Sequence, residues 1–181
     1  MAAMTTTFVY SAETAALVLL LSAATYLDLR RHRIPNALTF GGALLGLALQ
    51  TSLLGFDGFL TSLGGFGIGL AVLLPFYLLG GMGAGDVKLM GAVGTFLGIQ
   101  YALLATALTL IVGGILAMLV LLARRGTQAT LRRYGLMAKT LLLTGHVSYV
   151  PPAADEAAAT RFPYAVAIAL GTMGIIAWLG P

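Results

Sequence analysis

Long apolar runs separated by short polar junctions dominate the chain. They cover residues 8–27, 37–54, 58–79, 87–99, 101–123 and 162–179. Crossing the hydrocarbon core of a bilayer takes about 20 apolar residues in a helix. Five of the runs approach or reach that length. The run at 87–99 is short, as expected of a tilted or re-entrant helix. The pattern predicts an all-α, polytopic membrane helix bundle with about six transmembrane helices, and residues 1–181 read as a single membrane-embedded domain.

One long hydrophilic segment interrupts this plan, at residues 124–161. Within it, residues 129–144 have the pattern of a basic amphipathic helix lying on the membrane surface, with Leu131, Tyr134, Ala138 and Leu141 on one side. Pro151 and Pro152 end that pattern. Glycines recur at small-xxx-small spacing at Gly42/Gly46, Gly65/Gly69 and Gly94/Gly98. Such spacing predicts close helix packing in lipid.

Composition agrees. Apolar residues make up 59% of the 181 and charged residues only 9%. Soluble domains carry roughly 25% charged residues, so a soluble enzyme and a nucleic-acid binder are both excluded. The ten basic residues form three groups: Arg30, Arg31 and Arg33; Lys88 alone; and Arg124, Arg125, Arg132, Arg133, Lys139 and Arg161. With six spans and both termini outside, all ten fall on the cytoplasmic side, as the positive-inside rule demands. The segment before the first run has no basic residue, so that run reads as a retained span rather than a cleaved signal. There is no cysteine, and His32 and His146 are the only histidines. Those residues offer no metal cluster and no thiol chemistry, and no cofactor is expected.

Candidate chemistry rests on two carboxylates. Asp28 closes the first run, and Asp86 opens the fourth within Gly83-Ala84-Gly85-Asp86. The topology brings both to the cytoplasmic face. Ionisable groups at membrane depth are costly and call for a reason. Two close carboxylates cannot both ionise easily, so one keeps a proton. The ionised one can then take a proton from water while the other polarises a peptide carbonyl. Other readings of the same residues stay open. Asp28 could be an interface residue neutralised by Arg30 or Arg31, and Asp86 a helix cap. A proton-coupled transporter uses the same ingredients, and a noncatalytic pilus-assembly scaffold needs no aspartate pair.

The Gly83-Ala84-Gly85-Asp86-Val87-Lys88 block, with Phe96-Leu97-Gly98 after it, resembles the active-site region of the type IV prepilin peptidases and the related preflagellin peptidases. Asp28 with Arg31, Arg33, Ile34-Pro35-Asn36 and Leu38-Thr39 is similar to that family's other aspartate region. Phe162-Pro163-Tyr164-Ala165 is similar to its last span. The resemblance implies a membrane aspartyl endopeptidase that cleaves leaders from prepilins or pseudopilins at the cytoplasmic face of a prokaryotic inner membrane. It implies that Asp28 and Asp86 are the catalytic aspartates. Gly83 and Gly85 are expected to give the backbone freedom around Asp86, while Lys88, Arg31, Arg33 and Asn36 shape the site. Lys88 would hold either a carboxylate or a lipid phosphate. Without cysteine, the sequence lacks the paired Cys-x-x-Cys motifs of larger members. It therefore resembles the short, tight-adherence (Flp-type) form without methyltransferase activity.

Overall fold

A computed structural model describes residues 2–123 and 163–179, together with 135–137, 139–140 and 143. Its long helices among the described residues are α1 (Ala2–Arg31), α2 (Asn36–Leu78), α3 (Ala84–Ala123) and α4 (Tyr164–Leu179). Among the described residues there is no strand. Among the described residues, three segments are long and apolar enough to cross a membrane: Ala12–Arg31, Asn36–Leu78 and Ala84–Val120. A fourth apolar stretch, Tyr164–Trp178, is shorter. The protein is an all-helical integral membrane protein.

The second and third apolar runs are joined in α2, and the fourth and fifth in α3, where the sequence pattern suggested separate helices with loops. Each is broken internally by one glycine. Gly55 has φ 61° and ψ −138°, and Gly98 has φ 71° and ψ −179°. Glycine reaches this positive-φ region without the clash a side chain would suffer. A straight helix of 43 residues would run about 65 Å, roughly twice the hydrocarbon thickness. Contacts show that the chain turns back instead.

Both arms of α2 pack on the stretch of α3 before Gly98. In the first arm, Gly46 lies against Thr95 and Phe96. In the second arm, Gly65 meets the backbone of Gly94, and Gly69 meets that of Met90 and Gly91. The pairing runs in the same direction as α3 for the first arm and in the opposite direction for the second, as in a hairpin folded at Gly55. A methyl group on Gly65 would run into the Gly94 carbonyl, and one on Gly94 into the Gly65 carbonyl. The glycine spacing is therefore used for close backbone approach, as expected.

Two side chains repair the break at Gly98. A reversal there removes the donors that Ile99 and Gln100 would offer the carbonyls of Thr95 and Phe96 in a continuous helix. Ser62 Oγ donates to the Thr95 carbonyl at 2.8 Å, and Gln50 Nε2 donates to that of Phe96 at 2.7 Å. Beyond the break, Thr109 and Leu108 lie against Gly171 and Gly174 of α4.

Residues 89–96 of α3 are all buried. This stretch is apolar all round and occupies the centre of the bundle. α1 contributes a buried stripe of Leu17, Leu21, Ala24 and Asp28, at helical spacing. It packs on α4 and α2, with Leu20 against Gly42.

The chain divides into two compact units, Met1–Val112 with Pro163–Pro181, and Gly113–Phe162. All the contacts above belong to the first. In the second, the surface helix expected at 129–144 falls largely outside the described residues. Residues 135–137, 139–140 and 143 are helical, and Leu136 and Leu143 are exposed.

Candidate active site

Three helix ends meet where the sequence placed its candidate chemistry. α1 delivers Asp28 from its last turn. His32, at φ 47°, turns the chain out of α1, and its N–H donates to the Asp28 carbonyl at 2.8 Å. Pro35, extended at φ −63° and ψ 139°, then leads into α2.

α2 ends in a closed turn, with Gly81 N–H donating to the Phe76 carbonyl at 2.9 Å. This turn feeds Gly83, which starts α3. The Asp86 N–H donates to the Gly83 carbonyl at 3.1 Å, and the Gly83 N–H donates back to Asp86 Oδ2 at 3.1 Å. The second bond is the half of a capping box in which the N3 side chain accepts from the N-cap N–H, with Asp in the place of Glu. It holds the Asp86 carboxylate at the start of α3.

The third end is α4. Pro163 precedes its first residue, a position where a missing N–H costs nothing. The Ala165 N–H donates to Asp28 Oδ2 at 3.2 Å. Asp28 thus sits at the N-terminus of α4, where a helix favours negative charge. Both aspartates are buried, at 7% and 8% exposure. The two carboxylates are close enough for their charges to interact, and Tyr164 lies within electrostatic reach of Asp86.

The other expected site residues divide into two groups. Gly83 and Gly85 lie in the turn that leads to Asp86. Neither has a positive φ, so backbone freedom does not explain them. Space does. A Cβ on Gly83 would stand 3.0 Å from Asp86 Oδ2, and one on Gly85 would stand 3.2 Å from the Cβ of Ile34. Gly85 thereby lets the segment after Asp28 pack on the one before Asp86.

Among the described residues, the contacts of Lys88 are with an amide and an aromatic ring rather than a carboxylate. Its ammonium donates to Asn36 Oδ1 at 2.9 Å and stands 5.6 Å from the centre of the Phe40 ring. Asn36 and Lys88 thus tie the start of α2 to the start of α3. Arg31 and Arg33 are exposed on the connection between α1 and α2. Arg30 stacks over Tyr26 at 5.1 Å.

Reasoning from residue types missed Ala165 and Ile34. A backbone amide and a packing contact leave no trace in side-chain chemistry. The signals for Ala165 are Pro163, which marks the start of a helix, and the likeness of residues 162–165 to the family's last span. Among the described residues no cluster of His, Cys, Asp or Glu could hold a metal ion.

Fold and site together define an integral membrane protein with two buried aspartates at converging helix ends. The model of the type IV leader peptidase family matches residues 15–118. The chain belongs to that family, which makes it a peptidase. The matched stretch contains both aspartates and stops before α4, so the Ala165 contact lies outside it. No curated protein and no solved structure matches the chain.

Proposed function

We propose that this protein is an intramembrane aspartyl endopeptidase that removes the leader of type IV prepilin-like substrates, of the Flp or tight-adherence type. The observation that carries the reading is the meeting of Asp28 and Asp86, buried and each held by a backbone amide, at one end of the bundle.

The chemistry follows from two carboxylates sharing one proton. The ionised carboxylate takes a proton from a water molecule, and the oxygen attacks the scissile carbonyl. The protonated carboxyl donates to that carbonyl oxygen as it gains charge. Collapse of the tetrahedral intermediate breaks the C–N bond, and a proton from the dyad goes to the leaving amine. The titration belongs to the pair, so the rate against pH is bell-shaped. No metal or cofactor is called for.

The topology proposed with this activity has six crossings. α2 and α3 each contribute two, divided at Gly55 and Gly98, and both termini lie outside a prokaryotic inner membrane. All ten basic residues then fall on the cytoplasmic side. A substrate's apolar helix lies in the bilayer and its leader stays in the cytoplasm, which sets the scissile bond at the depth of the two aspartates. The peptidase activity resides in one membrane-embedded domain.

A cleavage assay tests the proposal. The chain, Asp28→Asn and Asp86→Asn are each co-expressed with prepilins from the same genome, and pilin mass is followed. Loss of the leader with the parent chain, and with neither variant, is the expected result. A folded parent chain that cleaves none of several such pilins overturns it and returns the transporter and scaffold readings.

A further inference from the structure

Lys88 stands two residues after Asp86 yet is turned away from it. At 100° per residue, Lys88 is about 200° and Thr95 about 180° around α3 from Asp86. The aspartates and the Lys88–Thr95 stripe therefore occupy opposite faces of one helix.

On the Lys88 face lies a groove between the two arms of α2. Phe40, Ala43, Leu44 and Leu47 form one wall, Leu63 and Phe66 the other, and Thr95 the floor. The Thr95 hydroxyl donates to the Ala92 carbonyl at 2.7 Å, so the only polar group of the lining is satisfied and the surface is effectively apolar. Phe40, Leu44 and Leu63 are 52%, 67% and 49% exposed, so the groove opens outward to the bilayer. Lys88 stands seven positions before Thr95 on α3, about 10 Å along the helix from the groove floor.

The mouth is charged. The Lys88 ammonium lies over the Phe40 ring, and Phe40 is the first residue of the groove wall. Asn36 Oδ1 accepts one of its three protons, leaving donors for a second partner. A cation at the interface end of an apolar groove matches an anionic headgroup with an acyl chain beneath it.

We infer that this groove is a binding site for one anionic phospholipid of the bilayer, with its phosphate on Lys88 and an acyl chain between the arms of α2. A polypeptide helix is the less fitting occupant, because a segment seated here stands on the far side of α3 from Asp86. A lipid needs no access to the aspartates. Lys88 then secures the α2 hairpin to α3 through the headgroup as well as through Asn36.

Fluorescence quenching by brominated lipid tests the inference without using activity. Leu44→Trp, an outward-facing position, reports from the groove in a Trp178→Phe background. The full chain is reconstituted in phosphatidylcholine vesicles containing a small share of brominated phosphatidylglycerol, or the same share of brominated phosphatidylcholine. We expect the anionic lipid to quench about fivefold more effectively, the enrichment that one basic side chain gives near an anionic headgroup. Lys88→Gln removes the preference and Lys88→Arg keeps it, so a loss with both indicates misfolding and is checked by helix content. Equal quenching by the two lipids in the parent reporter, or an undiminished preference in a folded Lys88→Gln, overturns the site. So does recovery of fluorescence when prepilin is added, which assigns the groove to a polypeptide.

Discussion

The two faces of the central stretch of α3 are built on opposite principles. On one face Asp86 sits in a buried polar junction with Asp28, held by amides at helix N-termini. Around the rest of the helix, Gly91 and Gly94 let the second arm of α2 approach to backbone contact. The first face spends stability on burying two carboxylates. The second supplies it through dispersion contacts, since burial in lipid gives apolar helices no hydrophobic drive to associate. A single helix can serve both because its neighbours differ: α1 and α4 end at the aspartates, while the α2 hairpin covers the glycines. The comparison teaches that function and cohesion here are separable by azimuth on one helix, over a few residues of sequence.

Substitutions can test that separation. The largest effect is expected from Asp86→Asn or Asp28→Asn. Loss of a group that moves a proton costs about a hundredfold or more, so cleavage of a pilin substrate falls to background. The unfolding temperature in detergent should stay level or rise, because a buried charge has been removed. A large fall in that temperature would show that the aspartates also hold the bundle together and would break the comparison.

Gly94→Leu comes next, on the side of α3 that meets the second arm of α2. The added side chain meets the Gly65 carbonyl, and overpacking of this kind costs about 1–3 kcal/mol. Thermal unfolding should occur several degrees lower. Any protein that remains folded should cleave at a rate within a few-fold of the parent chain.

Gly83→Ala is smaller and belongs to the catalytic face. The methyl group, 3.0 Å from Asp86 Oδ2, shifts the carboxylate. We expect kcat to fall about tenfold, roughly 1.4 kcal/mol of barrier, with KM little changed. Gly81→Ala is the control, since its Cβ meets nothing closer than 3.5 Å. Equal losses in the two variants would show that the turn matters only as a turn.

The smallest effect is expected from Gln50→Leu. It removes the 2.7 Å bond to the Phe96 carbonyl, and interhelical hydrogen bonds in membranes contribute about 0.6 kcal/mol. A shift of a degree or two in the unfolding temperature, with cleavage intact, would confirm that the repair at Gly98 is distributed over several groups.

Much of this was legible in the residues. The apolar runs mark the helices because the bilayer imposes their length. Asp28 and Asp86 stand out because charge is scarce in such a chain. The pairs at Gly46, Gly65 and Gly94 announced close packing. The joining of two runs into α2 and two into α3 was not legible, since a single glycine at positive φ does the work usually given to a loop. The room that Gly83 and Gly85 provide is hidden for a related reason: a glycine in sequence does not say whether it supplies conformation or space. Only the neighbouring Asp86 carboxylate and Ile34 answer that.

The sequence by itself determined the helical class, the membrane setting and the two aspartates, because each follows from hydrophobic length or from the cost of charge in lipid. Tertiary structure decided which faces meet. Lipid and protein interior are equally apolar, so a membrane helix carries no polar stripe to mark its outside. The Ala165 amide on Asp28, the turning of Lys88 away from Asp86, and the groove between the arms of α2 depend on helix rotation and close approach, and these exist only once the bundle has packed.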